Sequence, residues 1–471
     1  MAQLWKTAVL PSLARQARLQ TARCLGTSSR RDAPASKKTL SKPGVKNVVL
    51  VDGVRTPFLM SGTDYKSLMP HDLGIAAMRG LLERTGVPKE LIGYVIFGTV
   101  IQEVKTSNLA REVTLSVGLP DTTPAHTVTQ ACISSNQAIT TGIGMLTSGY
   151  CDAVIAGGVE FMSDVPIRHS RKMRGIMLSL NKAKTAQARL KLISQMFSMK
   201  ALMPELPAVA EFTTGETMGH SGDRLCATFN VSRSEQDEYA LRSHTNAQKA
   251  SEAGLLTDVL TYKVPGSLKP VSKDNGIRVS SLEAMAKLKP AFIKPHGTVT
   301  AANSSFLTDG GSACLLMTED KALELGLKPK AYLRDFLYVS QDPVDQLLLS
   351  PAYGIPRILD KVGMKPTDID AYEVHEAFAG QILANLKAMD SDYFSQTYTG
   401  RSKKLGELPL DRLNNWGGSL AIGHPFGATG VRLVTMAANR LIKEDGQFAL
   451  AAACAAGGQG HCMIVERYPG T

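Results

Sequence analysis

The chain has 471 residues, 44% of them hydrophobic and 20% charged, enough to bury one large core or roughly two to three domains. Its net charge of +11 is unevenly placed: residues 1–46 carry ten Lys or Arg against one acid, residues 168–200 carry nine and no acid, and the remainder sums to −7. That distribution excludes a nucleic-acid role for the body of the protein, and no run of about 18 apolar residues offers a transmembrane helix.

Residues 1–46 are rich in Ala, Arg, Ser and Leu. Leu4, Trp5, Val9, Leu10, Leu13 and Leu19 lie among Lys6, Arg15, Arg18 and Arg23. An Arg-rich, acid-poor amphipathic stretch reads as a mitochondrial transit peptide, and it is set apart from the fold. Seven cysteines occur with no C-x-x-C pair, and nine histidines with no H-E-x-x-H. No disulfide framework or metal is expected, and a reducing compartment fits.

Val48–Val51 is a first strand, closed by a turn at Arg55–Phe58. Asp72–Arg84 has helical spacing, and Tyr94–Val100 is a second apolar β run. A helix near Asn108–Val117 follows. Ala125–Thr129 is a β-rich lead into Cys132, and Ile139, Ile143 and Leu146 then recur on one helical face. Ser134, Ser135 and Asn136 suit the first turn of that helix. The strand Ala153–Ala156 ends in Gly157-Gly158. This alternation argues an α/β layered fold.

The second half repeats the order. Leu81–Gly98 and Ile358–Glu376 both read as helix, turn, Tyr and strand, and a helix at Gly427–Leu441 precedes the strand Phe448–Ala453 and Gly457-Gly458. Matched order argues duplication, with Cys132 and Cys454 in related positions facing a shared cleft. Residues from about 163 to 257 read as a loop domain inserted in the first half, and Cys314–Met317 brings the chain back as a strand. Within the insertion, Leu190, Ile193 and Phe197 recur at helical spacing between Ala183 and Ala201. One face there is apolar and the rest basic, which suits an anionic membrane surface, a partner, or a helix lying over the protein's own active site.

Three stretches carry candidate chemistry. Cys132 sits at a strand-to-helix junction, where backbone N–H groups and the helix dipole favour a thiolate. His424 lies in G-G-S-L-A-I-G-H-P-F-G-A-T-G, where small residues let backbone approach a ligand. Cys454 follows a buried strand in C-A-A-G-G-Q-G. Together they form a nucleophile, a base and an acid. Taken singly, Cys132 and Cys454 could be buried structural cysteines, His424 a turn-stabilising residue, Glu376 a surface carboxylate and Phe378 core.

Here the chain resembles the thiolase family, from about Val48 to Glu466. The resemblance rests on Q-A-C-I-S-S around Cys132, G-H-P at Gly423–Pro425, C-x-x-G-G-x-G from Cys454, Gly157–Glu160, Ser232–Ala240 and G-T-V-T-A-A-N-S-S at Gly297–Ser305. It implies two duplicated βαβαβαββ halves in five layers, with residues 47–326 and 327–471 as the two halves. It also implies retro-Claisen cleavage of a 3-ketoacyl-CoA through an acyl group on Cys132. His424 is then the base and Cys454 the acid that protonates the departing enolate. The family's N-E-A-F is here H-E-A-F, so His375 stands where an Asn commonly serves an oxyanion site. C-x-G is here Cys454-Ala455-Ala456, and the Ala456 N–H keeps its place as an oxyanion donor only where its φ is negative or tolerably strained. With the backbone at Cys132, Ala456, His375 and His424 make up the oxyanion sites. Ser305, Met218 and Phe378 match positions lining the CoA and acyl channel. Coenzyme A is a co-substrate, and no permanently bound cofactor or metal is implied.

Within the family, H-E-A-F, the basic insertion and the leader resemble long-chain thiolase subunits at the matrix side of the mitochondrial inner membrane. The resemblance implies a thiolase homodimer within a hetero-oligomer. The alpha subunit there carries enoyl-CoA hydratase and 3-hydroxyacyl-CoA dehydrogenase activities. The insertion's basic amphipathic face adds an expected peripheral contact with cardiolipin. Two rivals remain: a decarboxylating condensing synthase using Cys132, His375 and His424, against which Cys454 argues, and a non-catalytic lipid-binding scaffold.

Overall fold

The computed structural model describes residues 40–471, so all but the last few residues of the expected leader lie outside the described residues. The strands are β1 (Val48–Arg55), β2 (Leu59–Met60), β3 (Tyr94–Gly98), β4 (Ala125–Val128), β5 (Ala153–Glu160), β6 (Thr308–Thr318), β7 (Ala331–Ser340), β8 (Ala371–Val374), β9 (Phe448–Ala455) and β10 (Gln459–Arg467). Their spatial order is β4-β3-β5-β6-β1-β7-β10-β9-β8, with β2 paired to β6 off this path.

The order contains the same scheme twice. In the first half β4, β3 and β5 are parallel, and β6 and β1 follow antiparallel. In the second half β8 and β9 are parallel, and β10 and β7 follow antiparallel. The counterpart of β4 is reduced to one parallel bridge between Tyr372 and Leu413. Asn414, with φ +48°, turns the chain away there. Its side chain takes over the pairing, donating to Val374 O at 2.8 Å and accepting from Val374 N at 2.9 Å. The outer edge of the buried strand β8 is thus satisfied without a full strand.

Period-two alternation along the strands separates two cores. Val49, Val51, Val95, Phe97, Ile155, Leu315 and Met317 join the helices Pro70–Thr85 and Leu109–Ser116. Val48, Leu50, Ile96, Val154, Ala156 and Leu316 face the other way, onto the Ser134–Thr147 and Thr429–Lys443 helices. Those two central helices also meet Ala449, Ala451, Ala453, Met463 and Val465 of the second half. The helices Ser350–Val362 and Ala379–Met389 complete the outer layer on that side. Fully burying each large aliphatic side chain contributes about 1.5–3 kcal/mol, so the helix pair fixes both halves around one centre. The small residues of β9 (Ala449, Ala451, Ala453) let the central helices approach closely enough for Cys132 and Cys454 to share that centre.

Between β5 and β6 the chain forms the helices Arg171–Lys182, Ala186–Met196, Met199–Leu202, Met218–Thr228 and Arg233–Glu252, then the short Leu282–Ala286. The last long one opens on a capping box, Ser232 with Glu235, which explains the polar S-R-x-E signature at its start. The single helix expected over residues 183–201 is divided at Phe197–Ser198. Met173, Ile176 and Ala201 make a small core with Leu180, Leu192 and Met196. Leu190, Phe197 and Met199 stay 67%, 75% and 74% exposed, so the described residues leave much of this apolar face uncovered.

Candidate active site

Cys132 is presented by a tight turn between β4 and the Ser134 helix. Ala131 has φ +45°, a left-handed conformation that costs a non-glycine residue energy. Ser134 holds the turn, accepting from Gln130 N at 2.8 Å and donating to Ala131 O at 2.7 Å. Burial pushes the Cys132 thiol up to about 12, and a hydrogen bond from the Ala456 backbone N–H opposes this. Ala456 is not among the residues with positive φ, so the condition set on its N–H as a donor is met.

His424 follows Gly423, whose φ is +109°, a conformation open to glycine. The glycines around it have a steric reason: a Cβ on Gly158 would lie 1.8 Å from Gly427 O. The two halves cross there backbone to backbone. His424 Nδ1 lies 2.7 Å from Thr429 Oγ1, and that hydroxyl donates to Pro425 O at 3.0 Å. Thr429 therefore accepts from Nδ1–H, which leaves the lone pair on Nε2, a buried atom without a hydrogen-bond partner among the described residues. His424 Nε2 can therefore accept a proton.

His375 follows β8, with its backbone N donating to Ala452 O at 2.8 Å. Its Nδ1 lies 3.0 Å from Ser419 Oγ, and its Nε2 is also buried and unpartnered. The two imidazole centroids are 4.0 Å apart. Burial, and next the Arg432 charge, push His375 down to about 3. Burial, His375 and Arg432 push His424 well below its ordinary value. Both rings are therefore neutral at neutral pH. Cys132 and the two histidines offer one sulfur and two ring nitrogens, all within 4.8 Å of one another. Such a set can also ligate a soft cation.

Cys454, 1% exposed, ends β9 beside this cluster. Burial, and next the nearness of Cys132, push its thiol upward, so it holds its proton until a strong base forms beside it. The cluster thus contains a thiol, a base, a second thiol able to act as an acid, and donors for developing negative charge.

The remaining expected residues fall near one another outside this cluster. Met218 begins the Met218–Thr228 helix, and Phe378 packs edge-to-face on Phe292 at 6.1 Å. Ser305 N donates to Ala377 O at 3.0 Å. Glu376 is fully buried, which corrects its reading as a surface carboxylate. Tyr239, Ser243 and Asn414 donate to it at 3.0, 2.7 and 2.8 Å, so it braces the loop after β8.

Sequence reasoning left four neighbours without a role. Glu160 accepts from Val100 N, Ile101 N and Gly427 N, and burial pushes it up to about 7. Glu211, carried by the insertion, accepts from Gly457 N at 2.9 Å, in the turn next to Ala456. Ser419 and Arg432 stand behind His375. Glu160 had a visible signal, an acid directly after a buried Gly-Gly strand. Glu211 becomes visible only when the halves are brought together, and Ser419 and Arg432 only when the second half folds around His375.

Residues 48–320 match the model of the thiolase N-terminal domain, and residues 327–467 that of the thiolase C-terminal domain. The chain belongs to the thiolase family. This thiolase is 68% identical over 465 residues to "Trifunctional enzyme subunit beta, mitochondrial" of Homo sapiens, covering 98% of both chains. It is 61% identical to "Probable 3-ketoacyl-CoA thiolase" of Caenorhabditis elegans, over 91% of this chain and 96% of the relative. Among solved structures, human mitochondrial 3-ketoacyl-CoA thiolase matches 90% of this chain and 99% of its own, with TM-score 0.76 and 29% identity. The acetyl-CoA acetyltransferase of Bacillus anthracis matches the same shares, with TM-score 0.77 and 31% identity.

Proposed function

We propose that this thiolase is a mitochondrial 3-ketoacyl-CoA thiolase, cleaving 3-ketoacyl-CoA with CoA to acetyl-CoA and an acyl-CoA two carbons shorter. The observation that carries the reading is the joining of half-buried Cys132 with buried His424, His375 and Cys454 in one centre built from both halves. His424 Nε2 takes the Cys132 proton as the sulfur attacks C3 of the substrate. With the thiol pushed up and the imidazole pushed down, this transfer accompanies attack rather than preceding it. Donors at His375 and backbone N–H groups receive the negative charge, each worth about 3–4 kcal/mol. The C2–C3 bond then breaks, and the acetyl-CoA enolate takes the proton of Cys454. An acyl group is left on Cys132. A second CoA gives its thiol proton to the Cys454 thiolate and attacks the acyl-cysteine. Cys132 leaves as a thiolate and recovers its proton from His424. Every proton and electron pair returns, so the residues act as a ping-pong catalyst with CoA as co-substrate.

Ser305, Met218, Phe378 and Phe292 form the pantetheine and acyl channel in this reading, and a long-chain substrate is its finer form. The assembly is a hetero-oligomer containing a thiolase homodimer and an alpha subunit with hydratase and dehydrogenase activities. The insertion supports a peripheral contact with cardiolipin at the matrix side of the inner membrane, because its exposed Leu190, Phe197 and Met199 lie among Arg189, Lys191 and Lys200. The deciding test supplies purified protein with a long-chain 3-ketoacyl-CoA and CoA, and in parallel with a malonyl thioester. Acetyl-CoA release from the first alone supports thiolysis. Decarboxylation of the second would move the assignment to a condensing synthase.

A further inference from the structure

Behind His375 stands a short chain of buried polar groups that the reaction does not touch. Arg432, 1% exposed on the Thr429–Lys443 helix, places Nη2 2.7 Å from Ser419 Oγ. A guanidinium only donates, so Ser419 accepts there. The serine proton then goes to its other polar neighbour, His375 Nδ1 at 3.0 Å. Nδ1 is thereby an acceptor, and the single proton of the neutral ring sits on Nε2. That atom is buried, without a partner among the described residues, and faces the centre shared with Cys132 and His424.

At His424 the outcome is the reverse. Thr429 gives its proton to Pro425 O, so it accepts from Nδ1–H and the lone pair is on Nε2. Two similar rings, 4.0 Å apart, thus present opposite faces to the same space. What differs is the residue behind each ring. One hydroxyl accepts from a cation and has its histidine as the acceptor for its own proton; the other gives its proton to a carbonyl and accepts from its histidine.

We propose that Ser419, oriented by Arg432, is a positioning residue that fixes His375 as the Nε2–H tautomer, so that the imidazole pair enters catalysis as one donor and one acceptor. Either ring has two tautomers, and only one combination gives a base beside the thiol and a donor toward the oxyanion. Arg432 is ion-paired with Glu373 at 3.8 Å, and both are buried, so its charge is held in place while it orients the serine. The same charge disfavours protonation of either imidazole. This inference rests on the thiolase reading for its catalytic consequence, though not for the tautomer itself.

The test compares the parent with Ser419→Ala, Ser419→Thr, His375→Asn and the His375→Asn/Ser419→Ala double variant, each purified as the full protein. Ser419→Ala should lower kcat about tenfold with KM nearly unchanged, short of the roughly 10²–10³ expected for removing an oxyanion donor outright. Ser419→Thr, which keeps the hydroxyl, should recover most of the loss. In the His375→Asn background, Ser419→Ala should cost nothing further, because no tautomer remains to be set. Solid-state NMR of protein labelled with 15N-histidine reads the tautomer without turnover. The parent His375 should show a protonated Nε2 and a bare Nδ1, and Ser419→Ala a mixture. Equal losses in both backgrounds would assign Ser419 to packing and overturn the proposal, as would a protonated Nδ1 in the parent. A parent that does not cleave 3-ketoacyl-CoA would defeat the functional reading while leaving the NMR result to decide the tautomer.

Discussion

Replacing Thr429 with Val tests whether His424 is the base. The side chains have similar volume, and Thr429 is fully buried, so the change removes little except a hydroxyl. Pro425 O loses one donor but keeps the backbone N–H groups of Ala428 and Thr429, at 2.9 and 3.1 Å. His424 Nδ1–H loses its acceptor, and an unsatisfied buried donor costs about 1–3 kcal/mol. In the imidazolium that forms as the proton leaves Cys132, the same hydrogen bond is charge-assisted and about twice as strong. The transition state therefore loses more than the resting state, by about 1–2 kcal/mol, which is roughly 5- to 30-fold in rate. The assay mixes enzyme with a 3-ketoacyl-CoA in the absence of free CoA and follows the single burst of acetyl-CoA that accompanies acylation. Thr429→Val should slow the burst within that range and leave its amplitude unchanged, and Thr429→Ser should restore the rate. A burst at the parent rate, in a variant with an unaltered melting temperature, would remove Thr429 and the assigned His424 tautomer from the mechanism.

Three further outcomes follow from the same structure. Glu211→Ala should reduce thiolysis several-fold by loosening the turn that carries Ala456, and Glu211→Gln should retain activity because an amide oxygen still accepts from Gly457; steady-state rates that match for all three proteins would refute this. Vesicles containing cardiolipin should bind the protein at low salt and release it near 1 M, where the Debye length is about 3 Å, since each basic residue at an anionic surface contributes about 1 kcal/mol. Arg189→Glu with Lys191→Glu and Lys200→Glu should abolish that binding, and undiminished binding would rule out the membrane role of the insertion. The last outcome concerns pH. His375 is held down to about 3 from an ordinary 6.5, so the unfolded chain binds a proton that the folded one refuses. Its contribution to stability is complete above pH 6.5 and is lost as pH falls toward 3, by up to about 1.4 kcal/mol per pH unit. Denaturation curves of His375→Asn should therefore decline less steeply below pH 6.5 than those of the parent. Parallel declines would contradict the buried neutral imidazole.

Much of this arrangement is legible in the sequence because the relevant signals are local. The helix after Cys132 shows its buried face as Ile139, Ile143 and Leu146, and β9 shows itself as an unbroken apolar run. Duplication is visible because each half spells helix, turn and strand in the same order. β7 and β10 were less legible: Arg334, Asp335, Glu466 and Arg467 interrupt their apolar pattern, and their pairing joins distant segments. The missing fifth strand of the second half could not be anticipated either, since a side chain of Asn414 replaces backbone pairing. At the site, Cys132, His424, Cys454 and His375 stand out by residue type, and His424 and Cys454 also by their glycine-rich surroundings. Thr429, Ser419 and Arg432 do not, because an ordinary hydroxyl or a helix arginine acquires a role only through what it touches. The burial of Glu376 is hidden for the complementary reason: its partners Tyr239, Ser243 and Asn414 come from far along the chain, and only their convergence buries the carboxylate.

The central claim is that Cys132 carries the acyl group while Cys454 only moves a proton. Incubating the protein with a 3-ketoacyl-CoA in the absence of CoA, then digesting it and weighing the peptides, tests this most directly. The expected result is one acyl group, two carbons shorter than the substrate's acyl chain, on the peptide containing Cys132, with the Cys454 peptide unmodified. The same group found on Cys454, or on neither cysteine while acetyl-CoA is released, would contradict the account.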